Sequence, residues 1–185
     1  FAMMNTGPDL ATDVEQGFFK RLALTPVSRV SLLAGQVAGV MFLSVTAAVV
    51  YLVAGVAAGV EIHSGFGGAL VLILLAAGMG LAFASFGAFV GLRTGSAQAV
   101  QGMFPLFFVL LFLSSANLPR ELIEADWFRT IATYNPVSYL VEGVRSLIIT
   151  GWDGGALWPA ALVVVVAVVL GTYGAAQALR TVLVR

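Results

Sequence analysis

The chain has 185 residues, of which 60% are hydrophobic and 10% charged, with nine basic and nine acidic side chains in balance. A soluble domain carries about 25% charged residues and needs them for its polar shell, so a soluble globular fold is excluded, and so is disorder, which requires low hydrophobicity and high net charge. Zero net charge without a basic run gives no reason to invoke nucleic acid, and the absence of cysteine removes disulfides, thiol nucleophiles and thiolate metal sites.

In chain order, Phe1-Ala2-Met3-Met4 is apolar but too short for a signal-peptide core and lacks a basic flank. Residues 1–5 are expected to be the end of a helix whose beginning is absent. Residues 12–24 then predict a short amphipathic helix. Thr12 and Glu15 have capping-box spacing, Asp13 suits the first turn and Lys20 and Arg21 the last, and Pro26 stops the continuation. Val14, Phe18 and Leu22 recur every four residues, with Phe19 beside them. Two readings fit this stripe: a helix resting on lipid headgroups, or one docked in another protein's groove.

Charge-free stretches locate the membrane spans, expected at 31–58, 68–91, 99–117 and 157–178. A helix needs about 20 apolar residues to cross the hydrocarbon core. A run such as Leu162 to Leu170 does not alternate in polarity, so a β-barrel is excluded. The fold class is all-α, a polytopic membrane helical bundle. Lys20, Arg21, Arg29, Arg93, Arg180 and Arg185 flank the spans on alternate connections, which places that side, including the C-terminus, in the cytoplasm. Gly35/Gly39, Gly55/Gly59 and Gly87/Gly91 are small-residue pairs of the kind that lets helices approach closely in lipid, and a glycine-rich membrane chain also produces such pairs by chance.

Residues 119–149 read as external amphipathic helices divided at Asn135-Pro136, with Asn135 as N-cap and Pro136 at the first helical position. Glu142 and Arg145, three apart, can meet on one helical face as a structural lock, with a direct substrate contact as the rival reading. No GxxxxGK[ST] phosphate loop surrounds the single lysine, Lys20, and the single histidine, His63, lies in a loop near Glu61, a composition that points away from an enzyme, a cofactor or a metal site. The expected spans carry no ionisable group, so uphill transport would draw its energy from a partner. A pathway lined by Phe83, Phe86, Phe89, Phe104, Phe107, Phe108 and Phe112 would suit an apolar or amphipathic substrate, and the same rings can equally face lipid.

Glu15-Gln16-Gly17, Leu22 and Thr25-Pro26-Val27-Ser28-Arg29 before a long span, with Asn135-Pro136-Val137-Ser138-Tyr139, Glu142-Gly143 and Arg145 before the last span, resemble permeases of the ABC type-2 exporter class, antibiotic-resistance members above all. The resemblance implies a single permease domain over 1–185, with four complete spans here of six per subunit. It further implies a second permease copy, as homo- or heterodimer in a bacterial plasma membrane, and a separate ATP-binding subunit. Residues 12–24 would be the coupling helix, with Glu15, Gly17, Phe18, Phe19, Leu22, Thr25 and Pro26 meeting that ATPase. Phe18 stands where family members often carry threonine. Asn135, Pro136, Glu142 and Arg145 would form the structural external motif. A non-transporting membrane scaffold and a passive channel are the rival readings, since neither requires an ATPase.

Overall fold

The computed structural model describes Pro8, Ala11, Thr12 and residues 29–184. The 1–5 segment and, apart from Thr12, the expected 12–24 helix lie outside the described residues. The described chain is all-helical: α1 Arg29–Ala57, α2 Gly65–Thr94, α3 Ala97–Gly102, α4 Phe104–Phe112, a 3₁₀ turn Arg120–Leu122, α5 Asp126–Tyr134, α6 Pro136–Arg145, a π-helical turn Ser146–Thr150, and α7 Gly154–Val184.

Three of these helices are long and apolar enough to cross a membrane, through Ala38–Ala57, Gly65–Thr94 and Gly154–Thr181. Their surfaces confirm the class. Phe42, Tyr51, Phe66 and Trp158 are each more than 70% exposed, and large apolar groups on such long apolar helices suit a surface that faces hydrocarbon or a neighbouring helix rather than water. The fold is therefore an all-α membrane bundle.

Residues 97–112 form two short apolar helices where one continuous span was expected. Gly95, with φ +61°, takes the left-handed conformation that ends α2, its N–H reaching Gly91 O at 2.8 Å. Ser96 then caps α3 by accepting from Ala99 N at 3.3 Å. The break at Met103 follows from Pro105, which has no N–H to offer and whose ring would collide with the Gln101 carbonyl of an unbroken helix. The Met103 N–H instead turns back to Val100 O and Gln101 O.

The chain forms two compact units. The first holds Phe1–Thr46, Ala76–Phe104 and Val166–Arg185, and the second Ala47–Leu75 and Pro105–Val165. In the first, Ala88, Leu92, Ala175, Ala178 and Leu179 make a small-residue core with Phe89 against it. A Cβ at Gly171 would stand 3.1 Å from the Ser85 Cβ, and one at Gly80 would strike Ser44 Oγ at 2.0 Å. Helices approach closely there because side-chain atoms are missing. In the second unit, a Cβ at Gly143 on α6 would lie 2.5 Å from the Ala160 Cβ and 3.4 Å from Ala156 O on α7.

The glycines that carry these close approaches are not those of the four-residue pairs. Gly35 and Gly39 have no described neighbour within 4 Å, and Gly55 meets only Val60. Gly143→Val should therefore lower stability by about 1–3 kcal/mol through overpacking against α7. Gly39→Ala should stay within about 1 kcal/mol of wild type and gain helix propensity. Thermal unfolding of the detergent-solubilised protein checks both.

Candidate functional site

Of the residues singled out in the sequence, Glu15, Gly17, Phe18, Phe19, Leu22, Thr25 and Pro26 lie outside the described residues. The other group, Asn135, Pro136, Glu142 and Arg145, falls within the second unit, around the turn that follows α4. That turn is an electrostatic problem. The last carbonyls of a helix have no partner within it, and α4 ends beside apolar surface with no charged side chain of its own.

Asn135 works in two directions. Its Oδ1 accepts from Val137 N at 3.0 Å and so caps α6, with Pro136 in the first turn, while its Nδ2 donates to Leu110 O at 2.6 Å and closes the end of α4. The side chain is 5% exposed. Ser114 Oγ donates to Leu111 O at 2.6 Å. Ser115 and Ser138, both fully buried, bond reciprocally: Ser115 N donates to Ser138 Oγ at 3.1 Å and Ser115 Oγ to Ser138 O at 3.3 Å. Arg145 supplies the last donors, its Nη2 reaching Ser115 O at 2.8 Å and Ala116 O at 3.2 Å.

The ion pair differs from the one the spacing suggests. Glu142 takes Arg120 in a two-point contact, with Arg120 Nε donating to Oε1 at 2.6 Å and Nη2 donating to Oε2, and Arg145 is left to the backbone. The Arg120 guanidinium also lies over the Tyr139 ring, 4.6 Å from its centroid, and Tyr139 OH donates to Thr133 O at 2.8 Å. Tyr139 and Glu142 are three apart on α6 and form one receptor for the planar cation, which suits arginine's fork geometry. The hydrogen bond to Glu142 is the main cause that raises the Arg120 pKa above its ordinary value, with burial opposing. A raised cation pKa contributes stability that is present below the unfolded value and lost only as pH rises through the folded one. The arginine side of the lock is therefore constant across neutral pH.

Arg120, Tyr139, Ser115 and Ser138 were not singled out together from the sequence. The i,i+3 placement of an aromatic and a carboxylate was the one available signal, and the Arg120 partner is 22 residues away. Among the described residues no three His, Asp or Glu side chains gather to hold a metal ion. His63 instead sits with Nδ1 3.1 Å from Ile148 O, beside Ser64, whose Oγ donates to Leu147 O at 2.6 Å.

A double-mutant cycle on Arg120 and Glu142 should return a coupling energy of about 0.5–3 kcal/mol, larger than the same cycle on Glu142 and Arg145. Asn135→Asp keeps the cap on α6 but removes the donor to Leu110 O, and should cost about 1–3 kcal/mol. Thermal unfolding in detergent reads both.

Comparison with known proteins agrees with this architecture. The family model described as ABC-2 type transporter matches residues 1–149. Two curated relatives, each described as "Probable doxorubicin resistance ABC transporter permease protein DrrC", come from Mycobacterium tuberculosis strains CDC 1551 / Oshkosh and ATCC 25618 / H37Rv. Each is 26% identical over 167 residues, covering 88% of this chain. The chain spans 60% of the length of those relatives. No solved structure matches. With the family model covering most of its length, the chain belongs to the ABC-2 type transporter family.

Proposed function

We propose that the chain is the membrane-spanning part of a permease subunit in an ATP-driven exporter of the bacterial plasma membrane, with the 12–24 segment and the C-terminus in the cytoplasm. The family match over residues 1–149 carries this reading. ATP hydrolysis belongs to a separate subunit, since the sequence holds no phosphate loop around its one lysine. Glu15, Gly17, Phe18, Phe19, Leu22, Thr25 and Pro26 form the face that meets it, where a few buried aromatic side chains dominate affinity. Nucleotide-driven closure of the ATPase pushes on that helix and biases a rigid-body switch in two associated permease copies. The substrate is apolar or amphipathic. The relatives' association with doxorubicin resistance and the absence of ionisable groups from the expected spans support that choice.

In this scheme the external motif is the fixed end of the lever. Asn135, Arg145 and the Arg120–Glu142 pair hold the turn after α4 against α6, so a force on the bundle moves that region as one piece rather than melting it.

The double variant Phe18→Asp with Leu22→Asp should lose co-purification with the ATP-binding subunit and still insert in the membrane. Undiminished co-purification would overturn the docking assignment. The native absence of cysteine makes orientation directly testable. A cysteine at Glu124, which is exposed, should react with a membrane-impermeant maleimide on intact cells, and one at the exposed Arg93 only after permeabilisation.

A further inference from the structure

The charges of the external segment do not balance pair by pair. Arg120 is matched by Glu142, and Arg129 has Asp126 at 3.6 Å together with the Ile123 carbonyl at 2.8 and 2.9 Å. Arg145 has no carboxylate within ion-pair distance among the described residues. Its two hydrogen bonds both leave from Nη2, toward carbonyls, so the Nε and Nη1 donors find no acceptor there. Glu142, the acid nearest in sequence, is committed to Arg120. An uncompensated guanidinium at a membrane protein's apolar surface is costly and marks a place where an anion is expected.

Arg145 also lies at a groove. An open cleft of about 410 Å³ is lined by Ala116, Leu140, Val144, Ile148 and Ile149, with Arg145 as its charged member. Val144 and Ile149 are exposed, and no described side chain fills the space. A ligand complementary to this lining needs one anionic group and a long apolar body. A soluble anion such as phosphate would leave the aliphatic lining unused, and a neutral lipid would leave the guanidinium unpaired.

We propose that this groove is a binding site for an anionic phospholipid, with the phosphate ester on the Nη1 amino group of Arg145 and an acyl chain along Leu140, Val144 and Ile148. A phosphate oxygen accepts a charge-assisted hydrogen bond from the free amino group, and the surrounding bilayer supplies the occupant at high local concentration. The bound lipid neutralises Arg145 without drawing it from the Ser115 and Ala116 carbonyls, because those bonds use the other amino group. The proposal depends on the membrane location alone and stands apart from the export reading.

Native mass spectrometry of the full-length permease in detergent, titrated with phosphatidylglycerol or with neutral diacylglycerol, tests it. The wild type should retain one phosphatidylglycerol per chain in preference to diacylglycerol. Arg145→Gln should lose about ten-fold or more of that retention, and Arg145→Lys should keep most of it. Val144→Trp, which fills the groove from an exposed position and leaves Arg145 intact, should also lose retention, and carries the test should Arg145→Gln fail to fold. Added glycerol phosphate should not displace the lipid. Wild-type retention by a folded Arg145→Gln or by Val144→Trp would overturn the proposal. So would equal retention of diacylglycerol, or displacement by glycerol phosphate, which would show a site for soluble anions.

Discussion

Asn135, Ser114 and Arg145 answer one constraint: carbonyl oxygens that end a helix in or beside hydrocarbon have no water to accept from. The α4 helix ends at Phe112, among exposed Leu111 and Phe112 side chains. The acceptors at Leu110 and Leu111 are met by Asn135 and Ser114, and those at Ser115 and Ala116 both by Arg145. Both distant donors, Asn135 and Arg145, come from more than 20 residues further along the chain. Asn135 and Arg145 are thus placed by the needs of a different helix and the turn that follows it.

This explains what the sequence discloses and what it conceals. Charge-free runs such as Val30 to Val60 need only local information, and α1, α2 and α7 form there. The Asn135-Pro136 cap is equally local, and Val137 N is bonded to Asn135 Oδ1 at 3.0 Å. The second arm of Asn135, to Leu110, depends on a contact 25 residues away and has no sequence signature. The same holds for Glu142. Its neighbour Arg145 offers correct helical spacing, but Arg120 adds a two-point geometry and the Tyr139 ring, and the stronger receptor wins. The pairs Gly35/Gly39 and Gly55/Gly59 mark no close helix approach for a related reason. Spacing along one helix says which residues share a face, while Gly80 and Gly143 are defined by Ser44 and Ala160 on other helices.

The break at Met103 follows from a local rule. Pro105 sits inside a stretch that apolarity alone makes continuous, and its missing N–H separates α3 from α4. Ser85 shows the opposite case. Its hydroxyl is buried against Gly171 with no hydrogen-bond partner among the described residues, a position tolerated because a serine is small enough for the close approach of α2 and α7.

The π-helical turn at Ser146–Thr150 has a mechanical consequence. Its widened winding turns the Leu147 and Ile148 carbonyls toward the loop joining α1 to α2, where His63 N and Ser64 N each bond one of them at 3.2 Å. Gly151, at φ +94°, then reverses the chain into α7. These two bonds tie the connector between α1 and α2 to the turn that enters the final helix. Tilting either member drags the other, because the backbone bonds that join them leave no free hinge at that point.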